Sequence, residues 1–496
     1  MDINKYGFAK CANLTEFVEP NENSFNNVTS FNRAFYDCRN LTCNIPATLF
    51  ANCPNVTDFT RTFHNCIGLT GTIPATLFAN CPNATNFDGT FGACTGLSGT
   101  IPEGLFSNCS KVWTFKWTFE RCSGLAGSIP YALFANCPNV NTFGGTFEGC
   151  SRLTGTIPEA LFANCTNVTS FWATFDSCTG LTGIISEALF SNCPNVTSFE
   201  STFKNCSGLT GSIPEGLFLN CPNVTNFYRT FYGCSGLSGS IPATLFASCT
   251  NVNNFGITFY GCSGLTSIPE GLFANCPNVT SFGGTFNGCS GLTSIPEGLF
   301  ANCPNVTSFG WTFSFCSGLT GSIPERLFAN CSNVTDFTDT FRYCSGLTGS
   351  IPASLFANCP NVTSFKELFH GCKNLTGTIP ETLFTNCPNV TDFERTFSWC
   401  VKLTGTIPEA LFASCTAVTT FRWTFTCCHK LTGTIPEALF ANCPNVTDFY
   451  STFQECYGLT GNAPELWTRT NVTSYACCFR SCTSLSNYTD IPSGWK

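Results

Sequence analysis

Large apolar residues return along this chain on a fixed beat. In Leu431–Cys456, LTGTIPEALFANCPNVTDFYSTFQEC, they fall at Leu431, Ile435, Phe440, Cys443, Val446, Phe449, Phe453 and Cys456. Shifting the frame back by 28 residues gives LTGTIPEALFASCTAVTTFRWTFTCC, and a further 28 gives LTGTIPETLFTNCPNVTDFERTFSWC. The frame recurs fifteen times between Cys38 and Cys456 with no linker inside. A period in this range marks a stacked array in which no unit can bury its apolar face alone. Within the unit, Leu431 to Ile435 reads as extended, because Pro436 pushes the preceding Ile toward the β region. Pro436 then opens a helical turn, EALFAN, that sets Phe440 and Cys443 at i, i+3. Val446 to Phe449 is a second short extended piece, and Thr452 to Cys456 a second helical turn. The expected architecture is a repeat solenoid of about 15 repeats of 27–28 residues, with short parallel strands stacked into sheets and short helical turns between them. At about 4.8 Å per coil such a stack would be roughly 75 Å long.

The ends depart from the pattern. Residues 1–37 read as an entry cap in which Cys11, Asn13, Phe17, Phe31 and Phe35 echo the repeat while EPNENSFNN replaces the IPxxLF segment. The solenoid proper spans 38–456, and 457–496 reads as an exit cap, with GNAPELW for GTIPEALF and a crowded Cys477, Cys478 and Cys482. Atypical terminal repeats shield an open core. Two coils, those beginning Gly264-Leu265 and Gly291-Leu292, lack one Gly. Composition adds that the core is rings and sulfurs: 52 Phe and 37 Cys against 10% charged residues. A net charge of −8 with no basic run argues against nucleic acid. Pro and Gly interrupt every apolar run well before membrane-spanning length, so no membrane insertion is expected. The first residues, MDINKYGFAKC, carry no secretory apolar region. The cysteine and sequon content nonetheless points outside the cell, which implies that residue 1 is not the true start of the gene product.

The motifs now carry a resemblance. LTGTIPEALFANCPNV resembles the plant-type leucine-rich repeat with its LxGxIPxxL hallmark, and NVTDFYSTFQECYGLTG resembles the BspA-like repeats of microbial and protist surface proteins, with their FxxCxxL core. Together they cover about 85% of the chain. The period of 28 and Phe in place of Leu, Ile or Met are departures from both. The resemblance implies a right-handed leucine-rich-repeat-like solenoid used for adhesion or recognition outside the cell.

Three constellations stand out as candidate chemistry. The cysteines form two rows, represented by Cys53, Cys81, Cys109, Cys137 and Cys443 in LFxNC and by Cys66, Cys94, Cys122, Cys150 and Cys456 in TFxxC. Their spacing suits no zinc pair within the array. They are disulfide candidates, one staple per coil, because a secreted chain this rich in Cys favours oxidation; a buried free-thiol ladder is the alternative, and the odd total leaves at least one thiol over. Of 21 N-x-S/T sequons, thirteen stand at one repeat phase: Asn27, Asn55, Asn83, Asn167, Asn195, Asn223, Asn278, Asn305, Asn333, Asn361, Asn389, Asn445 and Asn471. They are N-glycosylation candidates at a turn, or else rungs of an amide ladder, for which the neighbouring Asn of ANCP is the better candidate. Finally, the two residues after each SF or DF vary from coil to coil, and Trp117, Trp172, Tyr228, Trp311, Trp423 and Tyr450 among them form a candidate ligand face exposed to solvent. His64, His370 and His429 read as lone exposed side chains, and the Glu after IP as a first-turn carboxylate facing a helix dipole. No nucleotide-binding, catalytic-triad or metalloprotease motif is present.

The sequence thus predicts a non-enzymatic, extracellular, N-glycosylated structural or adhesive protein without cofactor or metal. The alternatives are a receptor-like module binding a sugar or protein through its aromatic strip, and a filament subunit self-associating end to end through its caps.

Overall fold

The computed structural model describes residues 7–17 and 25–496. Most of the EPNENSFNN stretch assigned to the entry cap therefore lies outside the described residues. The chain falls into two compact units, Met1–Ser238 with Thr244–Asn251, and Gly239–Ala243 with Val252–Lys496. Both are solenoid stacks of the predicted kind.

Regular secondary structure is sparse. In the second unit the strand Gly433–Thr434 pairs in parallel with Leu459–Thr460. A second ladder is made of single parallel bridges, such as Ser308↔Asp336↔Ser364 there and Asp58↔Asn86↔Thr114 in the first unit. After the IP motif the chain turns tightly through i→i+3 bonds, and at Glu437–Phe440 this is a single turn of 3₁₀ helix. In most coils that Gly holds a left-handed φ, +76° at Gly349 for example, and one of the coils that lack it forms the strand Gly264–Ser267.

The second turn of each coil is not the helical turn expected from Phe and Cys at i, i+3. Phe449 C=O accepts from Thr452 N–H and Phe453 C=O from Cys456 N–H, with Ser451 at φ 53° and Glu455 at φ 60° as third residues. This is two turns in succession with the type II pattern of a positive φ at the third position. The alternate amides point along the stack: Phe449, Ser451, Phe453 and Glu455 donate to Ser474, Ala476, Cys478 and Arg480 carbonyls of the next coil. The Phe that opens each turn therefore points into the core and the third residue lies on the outer row, a four-residue repeat, and i, i+3 spacing arises from two turns rather than a helix.

Inside, three columns of Phe fill each unit. In one coil of the second unit Phe328 meets Phe337 at 4.7 Å and 58°, and stacks on Phe356 of the next coil at 6.1 Å and 11°. Phe162 does the same in the first unit, 4.7 Å from Phe171 and 6.2 Å from Phe190. Such pairs add about 0.5–1.5 kcal/mol beyond burial. Between the columns, Thr340 Oγ donates within the rung, 2.7 Å from Phe337 O and 3.1 Å from Phe309 O of the preceding coil. Coils lie so close that a Cβ on Gly346 would meet the carbonyl oxygens of Ser317 and Leu319.

Replacing Phe337 by Ala should lower stability by about 3–5 kcal/mol. The exposed rung Thr335→Ala, whose Oγ bonds Thr307 O at 3.2 Å, should lower it by about 1 kcal/mol or less. Urea unfolding of the two variants measures the contrast, and equal losses would contradict a core built on stacked rings.

Candidate functional site

Alternation of the TF segment puts two variable side chains per coil on one outward face. In Phe309-Gly310-Trp311-Thr312-Phe313-Ser314-Phe315, both Phe309 and Phe313 are fully buried while Trp311 and Phe315 are 51% and 46% exposed. Along the second unit the face gathers rings and charges. Arg342 lies over Phe315 at 5.5 Å and over Tyr343 at 5.0 Å, and Tyr343 Oη is 3.1 Å from His370 Nε2. Further along, Trp423 meets Tyr450 edge-on at 5.3 Å with Arg395 and Arg422 at 3.8 and 3.9 Å from its centroid. In the first unit Trp117 meets Trp172 at 6.1 Å, with Lys116 at 3.9 Å from the Trp117 ring and Arg229 at 4.7 Å from the Tyr228 ring.

Six ligand-face candidates were expected to stand in solvent, and the structure corrects this for five. Trp117, Trp172, Tyr228, Trp423 and Tyr450 are half-buried, and Trp311 alone of the six is exposed. Coils stacked at strand spacing make long side chains cover one another. Asp339 and Glu367, in the same row, are buried outright. The position just before the TFxxC cysteine was missed: it carries the exposed Phe315 and Trp399. The signal was there, since those residues also change from coil to coil. The histidines were expected to be lone and exposed, but His370 is buried and His64 and His429 are half-buried against Tyr36 and Tyr457.

Burial sets the electrostatics of this face. Desolvation, with Glu367 adding repulsion, pushes the Asp339 carboxyl up to about 6, although Arg342 and the Trp311 indole N–H oppose it. Its buried Oδ1 has Arg342 Nη1 at 3.3 Å as its ion-pair partner. Desolvation likewise pulls His370 down to about 4. Ion pairs link the coils: Arg342 Nε to Glu367 at 2.9 Å, Arg395 to Glu367 at 2.9 Å and Lys366 to Glu394 at 3.0 Å.

The two cysteine rows are thiols throughout the described residues. The disulfide candidates Cys53, Cys66, Cys81, Cys94, Cys109, Cys122, Cys137, Cys150, Cys443 and Cys456 all stand as free thiols in this structure. The TFxxC sulfurs instead donate along the stack: Cys66 Sγ to Phe35 O and Cys94 Sγ to Phe63 O, both 2.9 Å, and Cys456 Sγ to Phe425 O at 3.0 Å. The LFxNC sulfurs sit farther from their carbonyls, Cys109 at 3.8 Å from Cys81 O. Burial pushes thiols such as Cys53, Cys94, Cys109 and Cys150 up to about 12.

Of the sequon asparagines, all but the half-buried Asn83 are exposed, and most also form rungs: Asn333 Nδ2 donates to Pro304 O at 3.0 Å and Asn389 to Pro360 O at 3.1 Å. The ANCP asparagines form the parallel ladder expected of them, Asn80 to Ala51 O at 2.8 Å and Asn442 to Ala413 O at 3.0 Å. Two further features went unread in the sequence. On the IP side of the first unit a groove is lined by Tyr131 and Ile184, 59% and 63% exposed, with Glu103, Glu159 and Glu187; its signal is Ile184 and Ser186 where other coils carry Thr or Ser and Pro. In the second unit, Cys427, His429 and Glu455 bring one donor atom each to within 4.8 Å of one another. The doubled cysteine of TCCHK was its signal.

These coils place the chain in a known family. It belongs to the BspA type leucine-rich repeat region, whose model matches in six copies at residues 1–141, 43–169, 71–230, 156–307, 212–391 and 322–455. No curated protein matches the chain. Among solved structures, the plant peptide hormone receptor RGFR1 in complex with RGF2 is 18% identical over 92% of this chain and 75% of that one, with a TM-score of 0.45. The Arabidopsis receptor kinase HAESA, in complex with the peptide hormone IDA and the co-receptor SERK1, is 18% identical over 90% of this chain and 82% of that one, with a TM-score of 0.39. A leucine-rich repeat protein from Bacteroides ovatus ATCC 8483 is 17% identical over 83% and 85%, with a TM-score of 0.27. Among the described residues, no helix is long and apolar enough to cross a membrane.

A thiol reagent should react quickly only at the half-exposed Cys11, Cys43 and Cys477 of the native chain and at all 37 cysteines after denaturation. A denatured, unreduced chain that titrates far fewer would restore the staples. For pH, a depressed His370 contributes stability that is present above its ordinary 6.5 and lost as pH falls through about 4. The raised Asp339 contributes stability that is present below 3.8 and lost as pH rises through about 6. His370→Phe should therefore flatten the loss of melting temperature between pH 6.5 and 4, and Asp339→Asn should raise the melting temperature at pH 7.5 but not at pH 3.5.

Proposed function

We propose that this chain is a non-enzymatic recognition protein working outside the cell or on its surface, adhesive in character and N-glycosylated, with the variable strip as its ligand face. The observation that carries this reading is the gathering of Trp311, Phe315, Tyr343, Trp423 and Tyr450 with Arg342, Arg395 and Arg422 on one outward face of the second unit. The buried faces repeat almost unchanged, and this one varies. Trp, Tyr and Arg are the residues that dominate protein-binding hot spots. A sugar would need an open ring face on which to stack, and the two guanidiniums at 3.8 and 3.9 Å from the Trp423 centroid cover that ring. A protein ligand is the better fit. The non-enzymatic reading rests on the titratable groups of the strip being tied between coils as ion pairs.

Glycosylation is supported by the exposure of the sequon side chains and by the second hydrogen on each Nδ2, so an attached sugar leaves one N–H for the rung. Asn278, Asn305, Asn333, Asn361 and Asn389 fall in successive coils, about 4.8 Å apart, closer than branched sugars can stand side by side. The filament reading draws no support from the exit cap. There Trp495, only 5% exposed, stacks on Tyr475 at 4.9 Å and meets Phe479 at 6.3 Å and Phe449 at 6.5 Å, so the chain covers its own core.

Screening the full chain against a displayed peptide library and a glycan array, then repeating with Trp423→Ala/Tyr450→Ala and Trp311→Ala/Phe315→Ala, tests the ligand face. A peptide or protein ligand weakened at least tenfold by one of these pairs is expected. Ligands indifferent to both pairs, or glycans that depend on them, would overturn it. Peptide mapping after enzymatic deglycosylation, which leaves Asp at each occupied Asn, should show occupied sites spaced by at least one empty coil; an unmodified chain from a glycosylating host would remove the sugar from the proposal.

A further inference from the structure

We infer that Cys427, His429 and Glu455 form a site for a zinc-class transition-metal ion that clips together two successive coils of the second unit. Stacking does not ask for these residues. Cys427 and Glu455 occupy the same outward place in consecutive coils, where the coil before carries Trp399, and the place of His429 is held there by Val401. Three metal-binding side chains thus meet where the repeat leaves the choice free.

Their atoms converge as well. Cys427 Sγ is 3.5 Å from Glu455 Oε2, and His429 Nε2 is 4.0 Å from the same oxygen. All three donor atoms lie within 4.8 Å of one another. A tetrahedral ion with bonds of about 2.3 Å to sulfur and 2.0–2.2 Å to nitrogen and oxygen would set these edges at about 3.6 and 3.4 Å. The sulfur–oxygen edge is already there, and the imidazole needs to close by about 0.6 Å toward the oxygen and by up to about 1.2 Å toward the sulfur, a swing of one half-buried ring. His429 Nε2 is buried without a hydrogen-bond partner, an expensive state for a polar atom. Cys427 is only 3% exposed.

The surroundings hold the donors in place. Cys427 and Glu455 take left-handed φ values of 61° and 60°, fixed by their amides donating to Gln454 O at 2.8 Å and Arg480 O at 2.9 Å in the next coils. Gln454 Nε2 donates to Glu455 Oε1 at 3.4 Å, leaving Oε2 to the ion, and the Tyr457 ring packs 5.1 Å from that of His429. One thiolate, one imidazole and one carboxylate select zinc, cobalt or nickel over calcium or magnesium, which want oxygens alone. A fourth position stays open for water. On binding, the Cys427 S–H proton now shared with Glu455 Oε2 leaves to solvent, one proton per ion, and the thiolate takes its place.

Cobalt(II) tests this on the reduced, chelator-treated full chain. One equivalent should bind with a thiolate-to-cobalt charge-transfer band, and zinc should displace it. Cys427→Ser should abolish the band, His429→Gln and Glu455→Gln should weaken binding at least tenfold, and Cys477→Ser should change nothing. Zinc should also raise the melting temperature of the parent chain and not that of His429→Gln, a readout that stands even if Cys427→Ser folds poorly. Absence of saturable binding, or a band that survives in Cys427→Ser, overturns the inference.

Discussion

One constraint governs the molecule: each coil must present to the next what the previous coil presented to it, at the spacing of neighbouring strands. Rings are the efficient answer. A Phe in every coil at three places builds columns in which each ring stacks on its equivalent, as Phe328 on Phe356, and tilts against the next column, as Phe328 on Phe337. Backbone groups face the same demand, since the columns are buried. Amides of one coil donate to carbonyls of the next, and Thr and Cys side chains supply further donors to the Phe carbonyls. The repeat is strict where these contacts are made and loose where they are not.

The loose positions are held in an unusual way. Trp311, Tyr343, Glu367, Arg395, Trp423 and Glu455 all carry positive φ without being glycine. A single residue in that region is disfavoured, yet here the ladder bonds of every coil impose it. The backbone geometry is indifferent to which side chain it carries, so the outward rows can accept Trp in one coil and Glu in the next. A surface whose side chains can change without disturbing the fold under it is what a binding scaffold requires. The same rows also bring residues from successive coils into register, which is how Cys427 comes to lie against Glu455.

Periodicity made the array, its phase and its core residues readable, because burial repeats with the sequence. Val446, Phe449 and Phe453 are inside as the pattern requires. Conformation was less readable. Phe and Cys three apart fit a helical turn or two turns of type II pattern equally well, and only the bonds to the next coil separate them. Exposure along the strip was misjudged for the same reason: neighbours in space come from other coils, and Trp117 meets Trp172 and Arg61, each two coils away, as well as Lys116 beside it. Cys427, His429 and Glu455 were invisible to a search for closely spaced ligand pairs because one ligand comes from the next coil.

The cysteines pose a last question, since thiols in such number sit awkwardly with a place outside the cell. Oxidation proceeds through the thiolate. In the core, burial holds Cys94 and Cys150 at about 12 and lifts Cys122 and Cys344 far higher, so almost none is ionised at neutral pH. An oxidant would also need to reach sulfurs enclosed between stacked rings. Cys344 Sγ, moreover, donates to Phe313 O at 2.9 Å, and a disulfide would remove that donor from a buried carbonyl. Burial thus works against oxidation of the folded stack. The thiols do their structural part as small apolar groups with one hydrogen to give.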